Sequence, residues 1–159
     1  MVQDQPRHAS GVVSLRDVEP GDVEIFFEHQ RHDESNRMAA FPARDRDAHF
    51  AHWRKILADD SCVTKTVLFD GVVAGNVLSW DDGAHREVGY WIDSACWGKG
   101  IATRALTQLL ELVTQRPLTA AVAEHNRGSL RVLEKCGFRR TGAEEGEDGV
   151  VLVLLELDA

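Results

Sequence analysis

The chain is short of positive charge. Its 18 lysines and arginines face 26 aspartates and glutamates, for a formal net charge of −8 over 159 residues. A nucleic-acid binder needs a surface that neutralises phosphates, so this balance argues against that class. It is compatible with a cationic or amine-bearing partner, although mild acidity mostly serves solubility. No apolar run approaches the roughly 20 residues that cross a bilayer. The opening MVQDQPRHASG is polar and lacks the apolar core of a secretory signal, so residues 1–10 read as a loose tail. Only three cysteines occur, Cys62, Cys96 and Cys136, odd in number and without metal-type spacing. Reduced thiols in a cytoplasmic protein are the expectation. Seven histidines are present, but none forms an H-E-x-x-H-like pair, and no metal is expected. No repeat, low-complexity tract or linker interrupts the chain, so residues 11–159 are expected to form a single domain.

What is present alternates between strand and helix signals. VVSLRDV (12–18) alternates as a first strand, and EPGDVEIFFEHQ places Pro20 and acidic residues at a helix start. Residues 31–46 carry no clean period and read as a loop or short helices. DAHFAHWRKILA (47–58) puts Phe50, Trp53, Ile56 and Leu57 on one helical face. CVTKTVLF and VVAGNVLSW flank Asp70-Gly71, the dipeptide a type I′ hairpin turn prefers. DDGAH then turns the chain into REVGYWI (86–92), a further antiparallel strand. Residues 100–115 place Ile101, Ala105, Leu109 and Leu112 at helical spacing, and LTAAVA (118–123) is a short apolar strand. NRGSLRVLEKCGF reads as a helix with Asn126 as N-cap and Gly137 just past its end. FRRTGA and VVLVLLEL are the closing strands, and the second of these could pair across subunits of a homodimer if it forms an edge. The order β-α-α-β-β-β-α-β-α-β-β has one β-α-β crossover in its second half. It predicts an α+β domain whose mixed, mostly antiparallel sheet is flanked by helices.

The stretch CWGKGIATRAL (96–106) carries the functional question. A strand, a glycine-rich turn and a helix N-terminus make a generic anion cradle, with backbone N–H groups and the helix dipole directed at the ligand. A Walker-type loop does not fit, because Asp93 stands where the first glycine belongs and Gly100 where Ser or Thr should follow the lysine. A dinucleotide fingerprint fits poorly, because Thr103 occupies its third position and antiparallel hairpins precede the turn. The remaining candidate is the pyrophosphate of coenzyme A. The bland alternative is a plain tight turn.

REVGYWIDSACWGKGIATRALTQLL followed by AAVAEHNRGSLRVLEKCGFRRTG resembles the two central motifs of the GNAT superfamily of acyl-CoA-dependent N-acetyltransferases. Within it, the pattern is most like the branch that includes the ribosomal-protein N-terminal acetyltransferases. The motifs span about residues 85–142. The resemblance implies a sheet whose fourth and fifth strands splay apart to admit acetyl-CoA as cosubstrate. It assigns the pyrophosphate to the backbone of Gly98, Lys99, Gly100, Ile101, Ala102 and Thr103, with the Lys99 charge outside. The pantetheine arm would lie along Tyr90, Trp91 and Ile92, with Asn126 and Ser129 nearby. Trp97 stands where the superfamily often has Gln or Arg, a departure shared by the branch just named.

Acetyl transfer to an amine needs a deprotonated nucleophile, a donor for the oxyanion, and at times a proton for the thiolate. Superfamily members often supply that proton from a tyrosine four residues before the Gly-Phe pair, and here that position is Leu133. The chain's one tyrosine, Tyr90, lies on the fourth strand. Resemblance to the ribosomal-protein branch makes Ser129 the substitute acid, or no residue at all. Glu87, on the same strand, is the first candidate for the base, ahead of Glu34, Glu124 and His125. The acceptor's walls would come from HDESNRMAAFPARD (32–45) and EEGEDG (144–149), with Asp33, Glu34, Glu144 and Glu145 facing a cationic amine. The acceptor itself, a peptide N-terminus or a small amine, is left open. So is a rival reading as a non-catalytic acyl-CoA-binding module, and a third as a structural dimerisation protein.

Overall fold

Asp70 and Gly71 both adopt positive φ, 53° and 84°, as a type I′ turn requires, and they join β2 (Val63–Phe69) to β3 (Val72–Asp81). This hairpin is the middle of one half of the sheet. The computed structural model describes residues 11–39, 43–146 and 149–158. Within them lie β1 (Val13–Asp17), α1 (Pro20–His29), α2 (Asp33–Ala39), α3 (Arg46–Leu57), β4 (Arg86–Ile92) and a 3₁₀ turn (Ser94–Cys96). Then come α4 (Ile101–Leu112), β5 (Leu118–Ala123), α5 (Arg127–Lys135), β6 (Arg139–Glu145) and β7 (Val151–Leu157). No helix among the described residues is long and apolar enough to cross a membrane.

The seven strands run in the order β1-β2-β3-β4-β5-β7-β6, and every neighbouring pair is antiparallel except β4 and β5. The mixed, mostly antiparallel α+β sheet expected from the sequence is therefore present. β7 is not an edge: it pairs with β5 on one side and β6 on the other. The apolar VVLVLLEL stretch fits a fully paired interior strand as well as an exposed one, and its strand neighbours take up the groups that a partner subunit would have needed. β6, exposed along its whole length and rich in charge, forms the edge instead.

Alternation puts the two helical layers on opposite faces. Val67, Val77, Val88 and Ile92 pack with Ile101, Ala105, Leu106 and Leu109 of α4 and Leu130 and Leu133 of α5. Full burial of each large aliphatic side chain contributes roughly 1.5–3 kcal/mol. The other face holds a smaller cluster of Val23, Phe26 and Trp53 from α1 and α3, against Val73. Leu57 and Leu112, placed on the apolar faces by periodicity, stand exposed at the helix ends instead. Asp22 anchors α1 to the sheet. Its buried carboxylate accepts bonds from Arg16 at 2.6 and 3.0 Å, from the Glu19 N–H at 2.8 Å and from the Thr66 hydroxyl at 2.7 Å. Burial would raise this carboxyl, but the four bonds outweigh it and hold it at about 2.

α2 is the element whose pattern was unreadable. Asn36 donates to the carbonyls of Gln30 at 2.7 Å and His32 at 3.1 Å, and Gln30 donates to Arg44 O at 2.7 Å. This turn of chain is held by local polar bonds rather than by an apolar stripe. His125 clips its far end, with Nε2 2.7 Å from Arg37 O. That clip brings α2 to the end of β5.

Candidate active site

β4 and β5 pair at only two positions, Arg86 with Leu118 and Glu87 with Thr119. Beyond Glu87 the strands part, so the β5-facing main-chain groups of β4 have no strand partner there. The split opens into a groove of about 730 Å³. Ser35, Met38 and Ala39 of α2, Tyr90–Ile92, Trp97–Gly98, Gly100–Thr103 and one face of α5 line it. At its inner end, between the diverging strands, a smaller cavity of about 150 Å³ is walled by Ala39, Gly89, Tyr90, Ala120, Ala123 and Ser129.

The groove floor is the start of α4. Gly98 and Gly100 hold φ of 82° and 74°, a conformation that costs a side-chain-bearing residue strain. Open space surrounds the position a Cβ would take at either one. No side chain caps α4, so the first N–H groups of the helix face the groove without an intrahelical acceptor. Together with the helix dipole they suit an anion. Trp97 braces this turn by donating from Nε1 to Ile92 O at 3.0 Å. Lys99 does not line the groove. Its ammonium lies over the Phe69 ring at 5.9 Å, beside Arg104, which donates to the carbonyls of Gly11 and Lys99 at 2.6 and 3.1 Å. The other eleven residues assigned to the cofactor (Tyr90, Trp91, Ile92, Trp97, Gly98, Gly100, Ile101, Ala102, Thr103, Asn126 and Ser129) all line the groove.

At the inner end, Asn126 caps α5 by accepting the Ser129 N–H at 3.2 Å. The Tyr90 hydroxyl lies 2.5 Å from Ser129 Oγ. Burial pushes the Tyr90 phenol up to about 12, although the bond to Ser129 pulls the other way. Leu133 is fully buried in the core.

Glu87 lies at the last paired rung of the split, on the face of the sheet opposite Val88 and Tyr90. Burial, and then a hydrogen bond to the Asp82 carboxylate, push it up to about 7. Asp82 stays ionised at about 2, because it bonds Glu87 and accepts the N–H groups of His85 at 2.7 Å and Ala84 at 2.8 Å. The proton of the pair therefore resides on Glu87. Of the lesser base candidates, Glu34 and Glu124 are exposed, and His125 is engaged with Arg37 O. Glu144 and Glu145 are exposed on β6, two strands from β5. Residues 40–42, 147 and 148 and the Asp33 side chain, also counted among the acceptor walls, lie outside the described residues.

Several lining residues were not singled out from sequence. Arg127, Arg131 and Lys135 stand one turn apart along the groove side of α5 and give it a basic rim. Ser35 is buried, with a hydroxyl that has no hydrogen-bond partner among the described residues. Cys96 lines the groove at the 3₁₀ turn. No group of three His, Cys, Asp or Glu among the described residues is placed to hold a metal ion.

Residues 13–139 match the family model described as an acetyltransferase (GNAT) domain. The chain belongs to the GNAT acetyltransferase family. It is 38% identical over 128 residues to "Probable N-acetyltransferase YjcK" of Bacillus subtilis (strain 168), covering 72% of this chain and 65% of that protein. It is 33% identical over 113 residues to "Putative ribosomal N-acetyltransferase YdaF" of the same organism, over 66% of this chain and 60% of that one. The chain thus spans somewhat less than two thirds of the length of these relatives. Among solved structures, Mycobacterium smegmatis RimJ in complex with CoA-disulfide superposes with a TM-score of 0.77 at 25% identity, over 94% of this chain and 83% of that one. The ribosomal-protein-like branch suggested by the central motifs agrees with YdaF and RimJ.

Proposed function

We propose that the protein is an acetyl-CoA-dependent N-acetyltransferase that moves the acetyl group directly to a primary amine in a ternary complex. The observation that carries this reading is the split between β4 and β5, with an uncapped helix N-terminus at one end, Tyr90 and Ser129 at the other, and Glu87 outside the groove lining at the last closed rung. The pyrophosphate of the cosubstrate would take the N–H groups from Gly98 to Thr103. Its pantetheine amides would pair with the free edge of β4. The basic rim of Arg127, Arg131 and Lys135 would face its remaining phosphate. The CoA-disulfide in complex with RimJ supports assigning this groove to a coenzyme A cosubstrate.

The thioester would sit in the small cavity between the strands. Glu87, with its carboxyl poised near neutrality, would take the proton of the attacking amine directly or through a water. Once deprotonated, it adds negative charge that favours a cationic acceptor, either a peptide N-terminus or a small amine. None of the three cysteines is needed as an acyl carrier.

A non-catalytic acyl-CoA-binding module is the second reading, and the buried Leu133 at the usual tyrosine position favours it. Thiol release from acetyl-CoA across a panel of peptides, polyamines and aminoglycosides separates the two. Turnover with any amine supports the enzyme. Thermal stabilisation by acetyl-CoA with no turnover supports the module.

A further inference from the structure

We propose that Ser35 of α2 is a further contact for the cosubstrate, its hydroxyl donating to the carbonyl oxygen of the pantetheine amide nearest the sulfur. This rests on the acetyl-transfer reading above and adds a binding residue that lies outside the two central motifs. Ser35 is 2% exposed, yet its hydroxyl has no hydrogen-bond partner among the described residues. A buried hydroxyl left unpaired is destabilising, so its presence calls for a reason.

The surroundings point to a ligand. Two other polar atoms of the same corner, His29 Nδ1 and Asn36 Oδ1, are also buried without partners. Neither residue lines the groove, whereas Ser35 does, on the face of α2 that also carries Met38 and Ala39. Neighbouring polar side chains of the groove are already engaged. Trp97 donates to Ile92 O, His125 meets Arg37 O, the hydroxyls of Tyr90 and Ser129 meet each other, and Asn126 accepts the Ser129 N–H. Ser35 keeps a proton to give and no acceptor to receive it. No bond holds its hydroxyl in the present rotamer, so one staggered step about Cα–Cβ turns it to the groove without breaking any.

The position of Ser35 along α2 selects the amide. Ala39, one turn beyond it, borders both the groove and the small inner cavity assigned to the thioester, and Ser35 borders the groove alone. Ser35 is therefore set back from the sulfur by one helical turn, about 5.4 Å. In the pantetheine arm four bonds join the sulfur to the nearest amide carbon, about 5 Å at ordinary bond lengths. The free edge of β4 meets that amide on one side and Ser35 meets it from α2. A carbonyl oxygen has two lone pairs, so both donors can be accommodated.

The test is Ser35→Ala, read by titration calorimetry with coenzyme A and with adenosine 3′,5′-bisphosphate, which carries the nucleotide and no arm. Affinity for coenzyme A should fall about fivefold, the worth of one neutral hydrogen bond, while affinity for the bisphosphate holds. The Tm of the ligand-free variant should rise by about 3 °C, because an unpaired hydroxyl gives way to the best helix former. A purely structural serine would move Tm the other way. With the most active amine, KM for acetyl-CoA should rise and KM for the amine should hold. The reverse would assign the hydroxyl to the acceptor and overturn the contact. Unchanged affinity for coenzyme A, equal weakening of both probes, or a lower ligand-free Tm would each overturn it as well. A wild type that does not bind coenzyme A would overturn the cosubstrate reading along with it, whereas wild-type binding beside an indifferent Ser35→Ala would overturn the contact alone.

Discussion

The Glu87 carboxyl hydrogen-bonds the Asp82 carboxylate across the β3–β4 turn, and the proton of the pair stays on Glu87, which titrates at about 7 while Asp82 titrates at about 2. Burial is the larger cause that keeps Glu87 neutral below pH 7, and the Asp82 charge adds to it. Asp82 in turn is held ionised by its bond with Glu87 and by two N–H groups of the turn.

If Glu87 is the base, kcat/KM should rise with pH through an ionisation near 7. Glu87→Gln should lower kcat on the order of 10²-fold and remove that ionisation, while calorimetry finds the affinity for acetyl-CoA nearly unchanged. The folded protein holds the Glu87 proton more tightly than the unfolded chain does. The stability from this group is therefore present at acid pH and lost as pH rises through 7. Glu87→Gln should accordingly raise Tm more at pH 8 than at pH 5.

Asp82→Asn removes the charge that opposes ionisation of Glu87. The ascending limb of the pH–rate profile should shift to lower pH, with the plateau rate largely kept. A limb that stays in place would show that burial alone sets the Glu87 titration.

Asp22 is a matter of stability rather than chemistry. Asp22→Asn breaks a buried, four-bonded carboxylate and should cost about 3 kcal/mol in urea unfolding. The folded carboxyl sits at about 2, below its ordinary 3.8. Its contribution is therefore complete above pH 4 and drains away as pH falls towards 2. The wild type should lose this increment over that window and the variant should not.

The basic rim should be read out by phosphate count. Arg131→Ala together with Lys135→Ala should weaken acetyl-CoA about tenfold. Acetyl-dephospho-CoA, which lacks the terminal phosphate, should be affected much less. Equal weakening of both would place the rim elsewhere than on that phosphate.

The legible parts of the sequence were those encoded by neighbours along the chain. Asp70-Gly71 specified its turn, Gly98 and Gly100 the left-handed turn that opens α4, and Asn126 its cap, because each depends on a few adjacent dihedrals and N–H groups. α2 was unreadable because Asn36 and Gln30 spend their polarity on nearby carbonyls instead of sorting into two faces. Arg127, Arg131 and Lys135 look in sequence like the solvated side of an ordinary helix, and only the splayed strand beside them makes that side a groove wall. The bond between Tyr90 and Ser129 joins residues 39 apart in sequence, so no local pattern announces it. VVLVLLEL carries the same apolar signal whether its neighbour is β6 or another subunit, and the pairing with β6 is a property of the whole sheet.

The central claim is that the turn before α4 holds the diphosphate of coenzyme A. Titration calorimetry with coenzyme A, on the wild type and on a Gly100→Arg variant whose fold is confirmed by circular dichroism, tests it most directly. The open space and left-handed backbone at Gly100 predict one-to-one binding to the wild type and none to the variant. Binding of equal strength to both proteins would contradict the account.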